Sequence, residues 1–215
     1  MAGESFENPK SFWDSRYDTE TYLFGTLPNR FLKSEEERFR AGDRVLAVAD
    51  GEGRNGVWLA GLGCEVLSMD VSPIAVRKAQ QLAQKHGVDL RFEVADLTQW
   101  QWPSGCYDAV VCIFIQFATP VERERLFRGF WTSLKPGGLV LMQGYGLNQL
   151  QYKSGGPGRV EHLYSKKMLL DAFANWEILS LREHESELDE GPKHQGMAAL
   201  IDLVARKPAE SPQIG

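Results

Sequence analysis

The hydrophobic pattern along this chain alternates between two periods. Short apolar runs that read as buried strands recur at 44–50, 64–69, 90–94, 108–115 and 139–143. Between them, apolar residues fall at helical spacing. A helix is expected over 55–62. Ser72-Pro73 opens another, with serine as N-cap and proline at the first position; Ile74, Val76, Ala79, Leu82 and Ala83 form its apolar stripe, and Gly87 stops it after His86. Pro120 opens a charged helix that ends at Leu134-Lys135-Pro136-Gly137-Gly138. The run DAVVCIFI is apolar without alternation, as expected of a central strand covered on both faces. Strands alternating with helices predict an α/β fold with a mostly parallel sheet. The end of the chain breaks that rule. After a helix from Ser165 to Asn175, two strands (178–187 and 198–206) are joined by a loop over 188–195 with no helix between them. Such a pair is naturally antiparallel, so the expectation is a seven-stranded sheet ending in an antiparallel hairpin.

The first strand runs into RVLAVADGEGRNG, where Gly51, Gly53 and Gly56 are spaced G-x-G-x-x-G at the start of a helix. Glycine lets the backbone turn sharply and approach a ligand, and the helix start presents unpaired N–H groups. The second strand ends at Asp70, about twenty residues beyond the first glycine, where an acid can accept from ribose hydroxyls. Turn, helix, strand and acid in this order point to a ligand containing adenosine.

Residues 1–40 precede the first strand and are dense in aromatics, among them Phe12, Trp13, Tyr17, Tyr22, Phe24 and Phe31. Phe12, Trp13, Arg16 and Tyr17 fit one helical face, and 29–39 reads as a second short helix. This arm either packs on the domain or closes over a ligand pocket, and a lid does both. Gln149 to Gly158 is a polar, glycine-rich loop placed just after a strand. A single domain over 1–207 is expected, with the arm at 1–40, the core at 44–207 and a frayed tail at 208–215.

The chain has 215 residues and a formal net charge of -5, with no long basic run, which argues against a nucleic-acid partner. No apolar run is long enough to span a membrane, and MAGESFENPK has no signal-peptide core. Cys64, Cys106 and Cys112 have neither disulfide-scaffold nor zinc-site spacing, so no metal is expected and a reducing cytoplasm is the simplest compartment.

VLAVADGEGRNGVWLA, the acid in SMDVS, ADL after the third strand, YDAVVCIFI, LKPGG and the terminal hairpin together resemble the class I S-adenosylmethionine-dependent methyltransferases. Within that class, GEGRN with FWDSRY and FGTLPNRFL is similar to a small bacterial branch that includes tellurite-resistance and thiol-type methyltransferases. The resemblance implies a Rossmann-like three-layer sandwich and S-adenosyl-L-methionine as cofactor, with S-adenosyl-L-homocysteine as product. It implies cofactor contacts at Trp13, Asp50, Gly51, Gly53, Asn55 and Asp70, with Val71 and Leu97 around the adenine, Asp96 on its amino group and Ile113 beside the sulfonium. The family's first strand commonly reads D-x-G-x-G, and here Ala47 and Ala49 stand at the first two positions. Asp50 is then the candidate for contact with the ligand's amino group.

Arg16, Tyr17, Gln116, Tyr145 and His194 are candidates to line the acceptor pocket. The partner expected is a small-molecule methyl acceptor such as a thiol or a metalloid oxyanion, bound by a monomer or homodimer. The residues after the fourth strand read CIFIQF, without the N/D-P-P-Y/F pattern of amino-methylating enzymes, which argues against an exocyclic amine. An NAD(P)-dependent oxidoreductase shares the glycine turn and the acid, and a non-catalytic S-adenosylmethionine-binding protein is the other alternative.

Overall fold

The computed structural model describes residues 9–152 and 154–209. Its centre is a seven-stranded sheet in the order β3-β2-β1-β4-β5-β7-β6. The strands are β1 (Arg44–Val48), β2 (Glu65–Asp70), β3 (Arg91–Val94), β4 (Tyr107–Ile113), β5 (Leu134–Tyr145), β6 (Glu177–Asp189) and β7 (Gln195–Arg206). The first five pair in parallel, while β7 is antiparallel to both β5 and β6. The helices are α1 (Pro9–Tyr17), α2 (Arg30–Ser34), α3 (Arg54–Gly61), α4 (Pro73–His86), α5 (Pro120–Ser133) and α6 (Lys166–Ala172).

Alternation along β1 explains the three layers, because successive side chains of a strand point to opposite faces. Val45 and Ala47 pack with Phe31, Leu32 and Leu59 of α2 and α3. Leu46 and Val48 join the cluster of Leu126, Phe127 and Phe130 from α5 and Leu169 from α6. The caps follow local chemistry. Ser72 Oγ accepts from Ala75 N at the head of α4, and Gly87 closes that helix in the left-handed region. Thr119 and Glu122 form a reciprocal capping box on α5.

Several boundaries differ from the expected ones. The segment 134–138 is extended and opens β5 directly, with Leu134 paired to Tyr107 and a register shift before Ala109 meets Leu139. The residue before a proline avoids the helical region, so the chain leaves α5 already extended. The terminal hairpin is longer than expected, and the connection shrinks to 190–194 because backbone pairing continues to Leu188 and Asp189, opposite Gly196 and Gln195. Helix α6 stops at Ala172, short of Asn175. Within the arm, 29–39 divides into α2 and a separate 3₁₀ turn at Glu36–Arg38. The expected tail beyond residue 209 lies outside the described residues.

Strand order reverses direction between β1 and β4, where the chain crosses from one half of the sheet to the other. In open α/β sheets the crevice at the carboxyl ends of such strands is where ligands bind. The glycine turn leaves β1 there.

Candidate functional site

Gly51 and Gly53 have φ of +58° and +84°, in the left-handed region. A Cβ on Gly53 would lie 2.5 Å from the Ala79 Cβ of α4, so the turn is tight as well as left-handed. Asp70, at the end of β2, spans the turn's other side. One carboxylate oxygen accepts from Gly51 N at 3.0 Å and the other from Ser72 N at 2.9 Å. With the nearby Val71 N–H counted, the carboxylate still has acceptor capacity for a further donor. Burial pushes the Asp70 carboxyl up to about 6, against the lowering effect of these backbone N–H groups.

Two features at this crevice suit an adenosine ligand: positive-φ glycines and a buried acid at the β2 terminus. Residues 45–138 match the family model described as a methyltransferase domain. This stretch of the chain is thus similar to methyltransferase domains. The chain is 29% identical over 128 residues to a carboxy-S-adenosyl-L-methionine synthase of Erwinia tasmaniensis, covering 59% of this chain and 51% of that one. It is 29% identical over 137 residues to a glycine/sarcosine N-methyltransferase of Halorhodospira halochloris, covering 60% and 47%. The chain therefore spans about half the length of these curated relatives. A solved structure concerned with conversion of a disulfide bond into a thioacetal group during echinomycin biosynthesis shares the fold, with a TM-score of 0.78 and 19% identity over 95% of this chain and 94% of that one.

The remaining cofactor candidates lie on this turn and on the segments around it. Asp50 is turned onto the head of α3, where its Oδ2 accepts from Gly56 N at 3.1 Å and Ser68 Oγ at 2.7 Å. That carboxyl oxygen is committed to the helix rather than directed at a ligand's amino group. Burial raises the Asp50 carboxyl to about 7, the Ser68 and Gly56 hydrogen bonds offsetting part of the effect and the Asp70 charge adding to it. Asn55 Oδ1 accepts from Asn29 N at 2.9 Å, which ties the arm to α3. Asp96 accepts from Thr98 N and Thr98 Oγ1 at 2.9 and 2.7 Å and from Gln99 Nε2 at 3.1 Å, so both of its oxygens cap the turn after β3. Val71 is half-buried beside Asp70. Leu97, in the turn beyond β3, is buried in the α5 cluster, and Ile113, the last residue of β4, in the α3 cluster.

Helix α1 lies across the turn. The Tyr17 hydroxyl would stand 2.7 Å from a Cβ on Gly51, and Trp13 stacks on Tyr17 with ring centroids 5.5 Å apart. Ser72 Oγ donates to Asp14 Oδ1 at 2.6 Å, fastening α1 to the head of α4. Arg16 lies on the exposed side of α1, its guanidinium 4.2 Å from the Phe12 ring centroid. Tyr17 takes the buried face of this helix, with Trp13 packed against it.

The structure joins the Gln116 amide to the backbone of another acceptor candidate, Tyr145. Its Nε2 donates to Tyr145 O and His162 O at 2.8 and 3.0 Å, and its Oε1 accepts from Tyr145 N at 2.5 Å. The amide is spent on holding the end of β5. The Tyr145 and His194 side chains also come together, with ring centroids 6.0 Å apart.

Sequence reasoning missed Glu52, Arg54, Lys78 and Glu190. Glu52 and Arg54 are the residues between the motif glycines, and their charges in an otherwise apolar setting were the available signal. Glu190 lies in the hairpin connection, and only folding brings it to Arg54, where Nη2 donates to its carboxylate at 2.7 Å. Among the described residues, no group of His, Cys, Asp and Glu could hold a metal ion, and no helix is long and apolar enough to cross a membrane.

Proposed function

We propose that this protein transfers a methyl group from S-adenosyl-L-methionine to a small-molecule acceptor, leaving S-adenosyl-L-homocysteine. The observation that carries the reading is the Asp70 carboxylate, held by Gly51 N and Ser72 N at the end of β2 with oxygen lone pairs left over. A carboxylate fixed in this way suits the two adjacent hydroxyls of a ribose.

When bound, the cofactor supplies a methyl group on a sulfonium, already activated for in-line attack. The chain's own part is then binding, positioning and exclusion of water. Gly51 and Gly53 keep side chains out of the turn, Asp70 accepts from the ribose, and Tyr17 and Trp13 cover the site. The small-molecule acceptor agrees with the net charge of -5. A thiol or metalloid oxyanion follows from the resemblance of the arm, while similarity to a glycine/sarcosine N-methyltransferase keeps nitrogen acceptors in view despite CIFIQF.

Calorimetric titration with S-adenosylmethionine and S-adenosylhomocysteine, with NAD and NADP as controls, tests this reading. The first pair should bind the wild type and lose affinity in Asp70→Ala. Binding of a nicotinamide cofactor alone would replace methyl transfer with oxidoreduction.

A further inference from the structure

Three buried polar atoms near the carboxyl ends of β4 and β5 have no hydrogen-bond partner among the described residues: Arg54 Nη1, Tyr145 Oη and His194 Nδ1. The residues that carry them are 6%, 2% and 6% exposed. An orphaned buried donor or acceptor is destabilising, and folds remove such groups unless something else requires them.

These atoms belong to one neighbourhood. His194 packs between Phe24 and Phe114, with both ring centroids at 4.5 Å, and stands edge-on to Tyr145. Phe114 itself has φ of +57°, an expensive conformation for an aromatic residue and one that recurs at functional sites. Gly155 is at the Tyr145 hydroxyl, where a Cβ would lie 2.9 Å from Oη. Arg54 reaches the same region through Glu190, in the connection that carries His194. Glu190 is already satisfied by Arg54 Nη2, Arg30 N and Asn29 Nδ2, so it makes no further demand on Arg54 Nη1.

We infer that Arg54, Tyr145 and His194 form the acceptor subsite and that it receives an anionic oxygen group, a carboxylate, phenolate or oxyanion, rather than a thiol. This deepens, and rests on, the methyltransferase reading. Guanidinium N–H and phenolic O–H are strong donors, and an anionic oxygen satisfies both, whereas sulfur accepts hydrogen bonds weakly. Burial and the Arg54 charge hold the His194 imidazole down at about 3, with Glu190 opposing, so the ring is neutral and adds no second cation. In the transfer, a lone pair of the acceptor oxygen forms the new C–O bond. The methyl carbon's bond to sulfur breaks, and its electron pair stays on sulfur. An anionic acceptor has no proton to lose.

The test titrates the protein, saturated with S-adenosylhomocysteine, with benzoate and selenite as oxygen probes and thiophenol and benzylamine as controls. An oxygen probe should bind in preference to both controls. Tyr145→Phe and His194→Leu should each weaken it tenfold or more without changing affinity for S-adenosylhomocysteine. Tyr145→Phe removes only an unpartnered hydroxyl, so it should melt no lower than wild type. Preference for thiophenol or benzylamine, no binding of either oxygen probe, or unchanged oxygen-probe binding in both variants would each overturn the inference. Failure of S-adenosylhomocysteine to bind the wild type would instead sink the methyltransferase reading.

Discussion

Lys78 Nζ lies 2.5 Å from Glu52 Oε1, with both side chains buried. Glu52 sits inside the glycine turn and Lys78 on α4, and each also grips the arm. Glu52 Oε2 accepts from Leu23 N at 2.7 Å, while Lys78 Nζ donates to Thr19 O and Thr21 O at 3.0 and 2.7 Å. One ion pair thus clasps the aromatic arm over the turn that resembles a cofactor site. Removing one member of a buried pair leaves the other charge uncompensated, at a cost of about 3–5 kcal/mol. Lys78→Met should therefore lower unfolding free energy by about that amount, and combining it with Glu52→Gln should restore part of it. Denaturant unfolding measures the energy, and limited proteolysis should cut the single variant first within 19–28. An arm as resistant as in wild type would show that the clasp is not what holds it.

Asp70 gives ligand binding a pH dependence. Its carboxyl is raised by burial to about 6, so below that value it loses the charge that accepts from a ribose. S-adenosylmethionine affinity should rise as pH passes upward through about 6 and then level. Calorimetry between pH 5 and 8 (on the order of one unit either side of an ordinary carboxyl shift), in buffers of different ionisation enthalpy, should also detect proton release. A flat profile would separate Asp70 from the ligand.

The same shifts act on stability with opposite signs. Asp50 and Asp70, raised to about 7 and 6, hold protons longer in the folded than in the unfolded chain. Their contribution is complete below the unfolded carboxylate value and is lost as pH rises through their folded values. His194, lowered to about 3, contributes stability above the unfolded histidine value that is lost as pH falls toward 3. Asp50→Asn should reduce the loss of stability between pH 5 and 8, and His194→Leu should reduce the loss on acidification below about 6.5. Thermal melts across pH in a series of buffers give both slopes.

Ala49 has φ of +47°, where an L side chain costs about 1–2 kcal/mol, partly offset by glycine's greater freedom when unfolded. Ala49→Gly should stabilise the protein by about 0.5–1 kcal/mol. Gly53→Ala should do the reverse and cost about 3 kcal/mol or more, because the new methyl meets the Ala79 Cβ as well as the unfavourable φ. Urea unfolding of the two variants decides both; a stable Gly53→Ala protein would mean the turn relaxes.

Much of the fold was legible because its signals are local. The glycine spacing marks the turn, Ser72-Pro73 marks a helix start, and two apolar stretches without a helix between them require an antiparallel hairpin. The extended segment 134–138 shows the limit: its prolyl and glycyl residues announce a helix stop, but pairing of Leu134 with Tyr107 depends on how the preceding strand is laid beside it. The site was legible to a similar depth. Asp70 was visible as the acid ending β2. The commitment of Asp50 to Ser68 and of Gln116 to the end of β5 was not, because a side chain's hydrogen-bond partners are chosen by the packing of elements distant in sequence.

By itself, the sequence determined which segments are strands and helices, where the backbone must turn through left-handed glycines and which face of each element is apolar. Those properties arise from sterics and periodicity within a few residues. Tertiary structure alone decided which charges meet. Arg54 and Glu190 are 136 positions apart, and Tyr145 ends β5 while His194 lies in the connection between β6 and β7. Only closure of the sheet and docking of the arm bury these groups together, and burial makes their unpartnered atoms consequential.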